Sequence, residues 1–225
     1  MRTFKVFLVR HGITNANKYG IYCGSSDFTL NHEGIQELKS LAKTHTYPYA
    51  DWVFSSPLIR ATATAKIIYP GADIVEVDDL REISFGEFEG KSMRDLKNNP
   101  LFARFIAGDK TAIPKGAENP DDFLLRCNNA IVTIVNQMMT SNVYTAAVIT
   151  HASVIGNILS SLAYPKAYPY EWNPAFGHGY TIVADPTIYL REPVFEVTEQ
   201  IPYEEDDGFI SYEDDDYDPT EDIYS

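Results

Sequence analysis

An α/β fold with a mostly parallel central sheet is predicted from two features of this chain, the alternation of its apolar segments and its length. Short segments rich in β-branched and aromatic residues alternate with segments of helical periodicity, a pattern typical of strands connected by helices. The 225 residues, 44% of them hydrophobic, are enough for one sizeable domain with its own core. We therefore expect three layers, in which helices flank the sheet and a small cap is inserted.

Six strands and four main helices are predicted from the pattern of apolar residues. The strands are expected at residues 4–9, 51–54, 74–77, 146–150, 180–184 and 194–197. Helices are expected from about residue 31, from about residue 58, over 120–139 and over 152–163, where apolar residues recur at intervals of three and four. Ser55 and Ser56 are expected to cap the second helix, and Pro57 to lie in its first turn.

The composition divides the chain near residue 202. Residues 203–225 contain eleven Asp and Glu and no Lys or Arg, whereas residues 1–202 are nearly balanced, with 21 acids against 18 bases. A segment this acidic cannot bury enough apolar surface to offset the entropy that it would lose on ordering. We therefore predict that residues 203–225 form a disordered tail. Residues 1–202 are predicted to form one domain, in which a cap insertion at about 91–118 consists of helical turns interrupted at Pro100, Gly108 and Pro114.

Several functional classes are disfavoured by the same composition. No basic stripe indicates nucleic-acid binding, and no stretch approaches the roughly 20 apolar residues of a membrane span. The first apolar segment is short and contains Lys5, which is unlike a signal peptide, so we expect a cytoplasmic protein. Cys23 and Cys127 are expected to be free thiols. A disulfide between them is the alternative, and it would require the two residues to be close together. The oligomeric state is not indicated.

Charged and nucleophilic residues follow four of the predicted strands. Arg10 and His11 follow the first strand, Arg60 lies in the first turn after the second, Glu82 follows the third, and His151 follows the fourth. Ligands of open α/β sheets bind outside the carboxyl ends of the strands, so we expect these side chains to converge.

The chemistry of this set favours phosphoryl transfer. Arginine forks match phosphate oxygens and keep their charge. Nearby arginines disfavour an imidazolium and so keep His11 neutral, while a carboxyl group can protonate a leaving alkoxide and then activate water. The competing use of two histidines and an acid is a metal site, but two arginines in the same pocket would repel the cation.

Runs at residues 8–17, 24–30, 55–65, 80–90 and 150–152 resemble the signature blocks of one family. In this order they are LVRHGITNAN, GSSDFTL, SSPLIRATATA, LREISFGEFEG and THA. The chain thereby resembles the histidine phosphatase superfamily, in the branch of cofactor-dependent phosphoglycerate mutase, over about residues 4–185. The fold that this resemblance implies is a mostly parallel sheet between helices with a cap formed by the middle insertion.

The resemblance also implies residue roles. His11 is implied to be the phosphorylated nucleophile, and Glu82 the proton donor, with Glu87 and Glu89 as alternatives. The implied phosphate contacts are Arg10, Asn17, Arg60 and His151, and the implied substrate rim is Cys23 and Gly24. No metal and no organic cofactor is implied.

The chain departs from the family pattern in the loop that precedes its long helix. The family often has a second glycine where Ala117 stands, and alanine adopts positive φ angles only at a cost. This loop borders the substrate in relatives, so the departure bears on substrate specificity.

A phosphatase for small-molecule phosphate esters is the predicted function. Relatives that are mutases usually carry a longer insertion with additional arginines, whereas residues 90–118 hold only Arg94 and Arg104. Two alternatives stay open, a phosphoglycerate mutase-type transfer and a non-catalytic phosphate-binding protein with the same fold.

Overall fold

The computed structural model describes residues 2–109 and 111–204. Its strands are β1 (Phe4–Arg10), β2 (His45–Thr46), β3 (Trp52–Ser55), β4 (Ile74–Glu76), β5 (Thr145–Thr150), β6 (Ala163–Tyr164), β7 (Gly179–Ala184), β8 (Phe195–Ile201) and β9 (Tyr203–Glu204). Its α-helices are α1 (Asn15–Lys18), α2 (His32–Thr44), α3 (Ile59–Ile68), α4 (Met93–Leu96), α5 (Pro100–Ile106), α6 (Pro120–Ser141), α7 (Ala152–Leu162) and α8 (Pro186–Tyr189). Two 3₁₀ turns cover Asp78–Leu80 and Gly86–Phe88.

Seven strands form the central sheet in the order β4-β3-β5-β1-β7-β8-β6. The four strands β4, β3, β5 and β1 are mutually parallel, whereas β7 runs antiparallel to β1 and β8 antiparallel to β7. The carboxyl ends of the parallel strands therefore meet at one edge of the sheet. The predicted mostly parallel sheet with flanking helices is confirmed.

Alternate residues of the central strands face two separate cores, because successive side chains of a strand point to opposite faces. Val6 and Leu8 of β1 pack with the apolar face of α6 and α7, where Ile131 and Ile155 are fully buried. Phe7 and Val9 pack on the other face with α2 and α3. This double burial produces the three layers.

The predicted cap of the second helix is wrong. Helix α3 begins at Ile59, and its N-cap, Leu58, makes no side-chain cap hydrogen bond. The hydroxyl of Ser56 instead accepts a hydrogen bond from the Leu58 N–H at 3.3 Å and lies 2.8 Å from His151 Nε2. Ser56, which its capping preference placed at the start of the helix, therefore contacts the distant His151 instead.

Residues 91–118 carry the short helices α4 and α5. Leu96 and Phe102 from these helices pack with Phe88 in a third, largely aromatic cluster. In the loop that departs from the family pattern, the positive φ of 76° falls on Gly116, and Ala117 pairs with Phe85 in a β-bridge. The turn thus avoids a strained conformation at Ala117.

The described chain continues past the predicted start of the tail. Ile201 is fully buried, and Tyr203–Glu204 pairs antiparallel with His45–Thr46. Residues 205–225, most of the predicted tail, lie outside the described residues. Both cysteines are free, and Cys127 is buried. Among the helices of the described residues, none is long and apolar enough to cross a membrane.

Candidate active site

Four segments bring their polar side chains together at the carboxyl edge of the parallel strands. His11 follows β1 and His151 follows β5, with 5.1 Å between the centroids of their rings. Arg60 enters from the first turn of α3, and Glu82 from the segment after the first 3₁₀ turn. All four side chains are buried, although each belongs to a polar residue type. The structure thus groups the residues that the strand ends predicted.

Backbone contacts fix both the position and the tautomer of His11. The backbone N–H of His11 donates to the carbonyl of Thr150 at 2.9 Å, and the backbone N–H of the next residue, Gly12, donates to Thr64 Oγ1 at 3.0 Å. Ring atom Nδ1 lies 2.7 Å from the Gly12 carbonyl, which can only accept, so Nδ1 carries the proton. Nε2 therefore keeps its lone pair and is the atom available to attack phosphorus.

The environment keeps this imidazole neutral. Burial, followed by the positive charge of Arg60, lowers the pKa of His11 to about 3. Burial likewise lowers the pKa of His151, and the positive charge of Arg60 acts in the same direction. At neutral pH both rings are uncharged, and an uncharged imidazole has a ring nitrogen with a free lone pair.

We expect His11 to stay neutral in the free enzyme at pH 5. A pKa of about 3 leaves roughly one ring in a hundred protonated there, whereas an unperturbed histidine, with a pKa of about 6.5, would be mostly protonated. The measurement is a ¹⁵N NMR titration of the imidazole, with the His11→Gln variant to assign its resonances. A His11 titration centred near pH 6.5 would contradict the electrostatic description.

The two arginines are anchored by carbonyl groups and leave other donors free. Arg60 donates from Nη2 to Gly24 O at 2.7 Å and from Nη1 to Ser26 O at 2.8 Å. Arg10 donates from Nη1 to Pro174 O at 2.7 Å, and its guanidinium carbon lies 3.8 Å from the centre of the Phe176 ring. Both guanidinium groups are therefore held rigidly before any ligand binds.

Three buried polar atoms of this cluster have no hydrogen-bond partner within the described chain. They are Arg10 Nε, Arg60 Nε and His151 Nδ1. Unpaired buried polar atoms are costly, since their desolvation is not compensated. Their concentration around His11 indicates a site for an oxyanion with several oxygens, such as a phosphoryl group.

Glu82 is the carboxyl group best suited to donate a proton. Its Oε1 accepts from the Ile83 N–H at 2.9 Å and its Oε2 from the Ser153 N–H at 3.3 Å. Burial nevertheless raises its pKa, because desolvation outweighs these hydrogen bonds and the charge of Arg60. A raised pKa favours the protonated form that a general acid needs.

The alternative acids are less suited to this role. Glu89 accepts hydrogen bonds from the N–H groups of Ser25, Ser26 and Phe85 and from both serine hydroxyls. Burial raises the pKa of Glu89, but these donors outweigh it and leave the pKa below its usual value. Glu87 is exposed. Glu89 is thus an ionised anchor of the segment that contains Ser25 and Ser26, and Glu82 is the buried carboxyl group of the three whose pKa is raised.

The remaining predicted residues are Asn17 in α1 and Cys23 and Gly24 in the segment that follows it. Asn17 accepts from the N–H and hydroxyl of Thr14 through Oδ1, which closes a capping box on α1, so only its amide nitrogen is left to contact a phosphate. Gly24 packs so tightly that a Cβ there would lie 2.0 Å from Ile83 O. Cys23 lies next to it, with Sγ 3.7 Å from Ser26 O.

Several contacts of the site were not predicted from the sequence. Ser56 lies against His151, Thr64 holds the Gly12 N–H, and Phe176 stacks on Arg10. Ser56 and Thr64 belong to the block at 55–65, so their presence in a family signature was a signal, whereas nothing local marks Phe176. In the part of the chain that is described, no group of three His, Cys, Asp or Glu side chains could hold a metal ion.

The comparison with known families agrees with this geometry. Residues 6–182 match the model of the histidine phosphatase superfamily, branch 1. The chain belongs to this superfamily. The match spans both histidines, Arg60 and Glu82 and ends within β7. It confirms the predicted family and, at that level, the predicted class of enzyme, a phosphoric monoester hydrolase.

Curated relatives carry phosphatase names. An adenosylcobalamin/α-ribazole phosphatase of Salmonella typhimurium is 28% identical over 162 residues, which is 70% of this chain and 79% of the relative. A sedoheptulose 1,7-bisphosphatase of Saccharomyces cerevisiae is 30% identical over 109 residues, 42% of this chain and 40% of the relative. The names differ in substrate, so the family membership does not select one ester.

Solved structures show the same fold. The α-ribazole phosphatase of Shigella flexneri superposes with a TM-score of 0.73 at 21% identity, covering 87% of this chain and 95% of that one. A phosphoglycerate mutase of Bacillus anthracis superposes with a TM-score of 0.70 at 19% identity, covering 90% and 94%. At these identities the similarity establishes the fold and not the choice between hydrolysis and isomerisation.

Proposed function

We propose that this protein is a phosphatase that hydrolyses phosphate monoesters of small metabolites through a phosphohistidine at His11. The observation that carries the proposal is the set of unpaired buried polar atoms of Arg10, Arg60 and His151 around a neutral histidine. Such a set suits a phosphoryl group, whose transfer depends mainly on positioning and on stabilising charge.

The first step transfers the phosphoryl group to the enzyme. The lone pair of His11 Nε2 forms a bond to phosphorus while the bond from phosphorus to the ester oxygen breaks. Arg10, Arg60 and His151 hold the phosphoryl oxygens, and protonated Glu82 gives its proton to the departing alkoxide. The products of this step are an alcohol, a phosphohistidine and ionised Glu82.

The second step releases phosphate and restores the enzyme. A water molecule attacks phosphorus as the bond to His11 Nε2 breaks, and the Glu82 carboxylate accepts the proton that the water loses. Glu82 is thereby protonated again, and inorganic phosphate leaves. Burial favours the protonated state of Glu82 before each cycle, which supports its use first as an acid and then as a base.

Asn17 is proposed as a further phosphate contact, and Cys23 and Gly24 as part of the substrate rim. The rim loop is tied to the acid segment at the tight approach of Gly24 to Ile83 O. Residues 1–202 with a cap at about 91–118 are proposed as the catalytic unit, with the acidic segment after it dispensable for turnover. The cytoplasmic location stays a prediction.

A screen of phosphate esters tests this function. We expect release of inorganic phosphate from p-nitrophenyl phosphate and from some members of a panel of sugar and acid phosphates. With 3-phosphoglycerate and a bisphosphate primer, we expect no net formation of 2-phosphoglycerate. Efficient interconversion of the two phosphoglycerates would instead assign a mutase, and absence of both turnover and His11 labelling would assign a non-catalytic phosphate-binding protein.

A further inference from the structure

Arg126 uses all of its side-chain N–H groups within the protein. Nε and Nη2 donate to the two carboxylate oxygens of Glu118 at 2.6 and 2.8 Å. Nη1 donates to the carbonyls of Asp79 and Arg81, both at 2.7 Å, and Nη2 reaches the carbonyl of Glu82 at 3.3 Å. With five donors engaged, Arg126 has none left for a phosphate. Its role is therefore different from that of Arg10 and Arg60.

The side chain of Arg126 extends from a rigid part of the structure. Arg126 projects from the second turn of α6, a 22-residue helix with a buried apolar face. Its guanidinium carbon lies 4.7 Å from the centre of the Phe123 ring, one turn earlier on the same helix. The ion pair with Glu118 is also largely shielded, with the two side chains about one-fifth exposed (18% and 21%). Shielding and a bidentate geometry distinguish it from a solvent-exposed pair of little energetic consequence.

The carbonyls that Arg126 holds belong to the segment that carries Glu82. Residues 79–82 have four consecutive carbonyl groups, and Arg126 takes three of them. The fourth, Leu80 O, accepts from the hydroxyl of Thr150, the residue before His151, at 2.8 Å. Every backbone carbonyl of the segment is therefore fixed by a side chain. Oε1 of Glu82 accepts from the N–H of the next residue, so the carboxyl group follows its own backbone.

Glu118 connects the same segment to the end of the cap. Its N–H donates to Ser84 O at 3.0 Å, and Ala117 forms a β-bridge with Phe85. The carboxylate that holds Arg126 therefore lies on the chain that returns from the cap towards α6. Removing either partner of the pair would loosen the acid segment without touching His11 or the phosphate-binding arginines.

We propose that Arg126, oriented by Glu118, is a positioning residue that fixes the backbone of residues 79–82 and so places the Glu82 carboxyl group for proton transfer. This rests on the proposed function, since it assigns Arg126 to the proton transfers of Glu82, of which kcat/KM reports the one to the leaving group. A displacement of about 1 Å at a reacting group can cost on the order of 100-fold in rate. The cost should fall on reactions that need the acid.

The test compares two leaving groups in the variants Arg126→Gln and Arg126→Lys. We expect kcat/KM to fall about 10- to 100-fold for the best alkyl phosphate of the ester screen and less than about threefold for p-nitrophenyl phosphate, whose leaving group needs little protonation. Lysine should not rescue the activity, because it keeps the charge but cannot make the forked contacts. The matched control is Arg191→Gln, at an exposed arginine beyond α8.

A double-variant cycle separates positioning from general destabilisation. In the Glu82→Gln background, Arg126→Gln should lower alkyl phosphate turnover by less than about threefold further, because the acid is already absent. Additive losses, or equal losses for both leaving groups, would overturn the proposal. If the Arg126 variants do not fold, Glu118→Gln provides the same comparison with a smaller expected effect. If Glu82→Gln lowers kcat/KM equally for both leaving groups, Glu82 is not the acid, and this inference is wrong as well. If Glu82→Gln affects the two leaving groups differently but the Arg126 and Glu118 variants do not, only this inference is wrong.

Discussion

Replacement of His11 by alanine is expected to reduce turnover of every phosphate ester by at least about 10⁴-fold. The side chain supplies the one protein atom that is proposed to bond to phosphorus, and loss of a catalytic nucleophile typically costs factors of this size or more. Alanine retains the backbone hydrogen bonds of this position, including the one from its N–H to Thr150 O. The fold and the positions of Arg10 and Arg60 should therefore be unchanged, and the measurement is steady-state release of inorganic phosphate.

A matched control for this variant is His32→Ala. His32 is the first residue of α2 and is exposed. The His32→Ala variant should keep the full turnover of the unmodified protein. If His11→Ala binds inorganic phosphate and keeps its melting temperature but loses turnover, the loss is chemical. A His11→Ala protein that still hydrolyses esters within about tenfold of the original rate would remove His11 from the chemistry.

Replacement of Glu82 by glutamine has the second largest expected effect, and it depends on the ester. For alkyl phosphates kcat should fall about 10²- to 10⁴-fold, the usual contribution of a positioned general acid. For p-nitrophenyl phosphate the fall in the first step should be far smaller, because p-nitrophenolate leaves without a proton. Glutamine has nearly the same size and can accept from Ile83 through its oxygen, so the site should keep its shape.

Pre-steady-state kinetics sharpen this prediction. With p-nitrophenyl phosphate, Glu82→Gln should retain a burst of p-nitrophenol followed by slow turnover, because attack of water on the phosphohistidine loses its base. The control is Glu87→Gln, at the exposed glutamate five residues along. Equal losses for good and poor leaving groups, without a burst, would move the acid role to another residue.

The positions of the candidate catalytic residues were predictable because each follows a short apolar segment. β1 and β5 are buried on both faces over most of their length, which makes them mostly apolar and easy to find, and His11 and His151 follow them directly. The positions of Arg60 and Glu82 were predicted because these residues follow the strands β3 and β4. The predicted ends of β3 and β4 were each wrong by one residue, and this had no effect on the edge at which the side chains meet.

The supporting contacts were less predictable because they join distant parts of the chain. Ser56 and His151 are 95 residues apart, and capping preference gave the serine a different role. Arg126 contacts backbone carbonyls 44 to 47 residues away, and carbonyl groups carry no sequence signal. The pairing of Tyr203–Glu204 with His45–Thr46 involves two strands of two residues each, which are too short for a periodic pattern.

The most direct test of the central claim is detection of the covalent intermediate. The protein is mixed with a ³²P-labelled ester, quenched in alkali within milliseconds, digested and sequenced by mass spectrometry. We predict one labelled peptide, with the phosphoryl group on His11, stable in alkali and lost in acid as a phosphoramidate is. The label should persist longer in Glu82→Gln and be absent in His11→Ala. Turnover that proceeds with no covalent label, or with an acid-stable label on a hydroxyl group, would contradict the phosphohistidine mechanism.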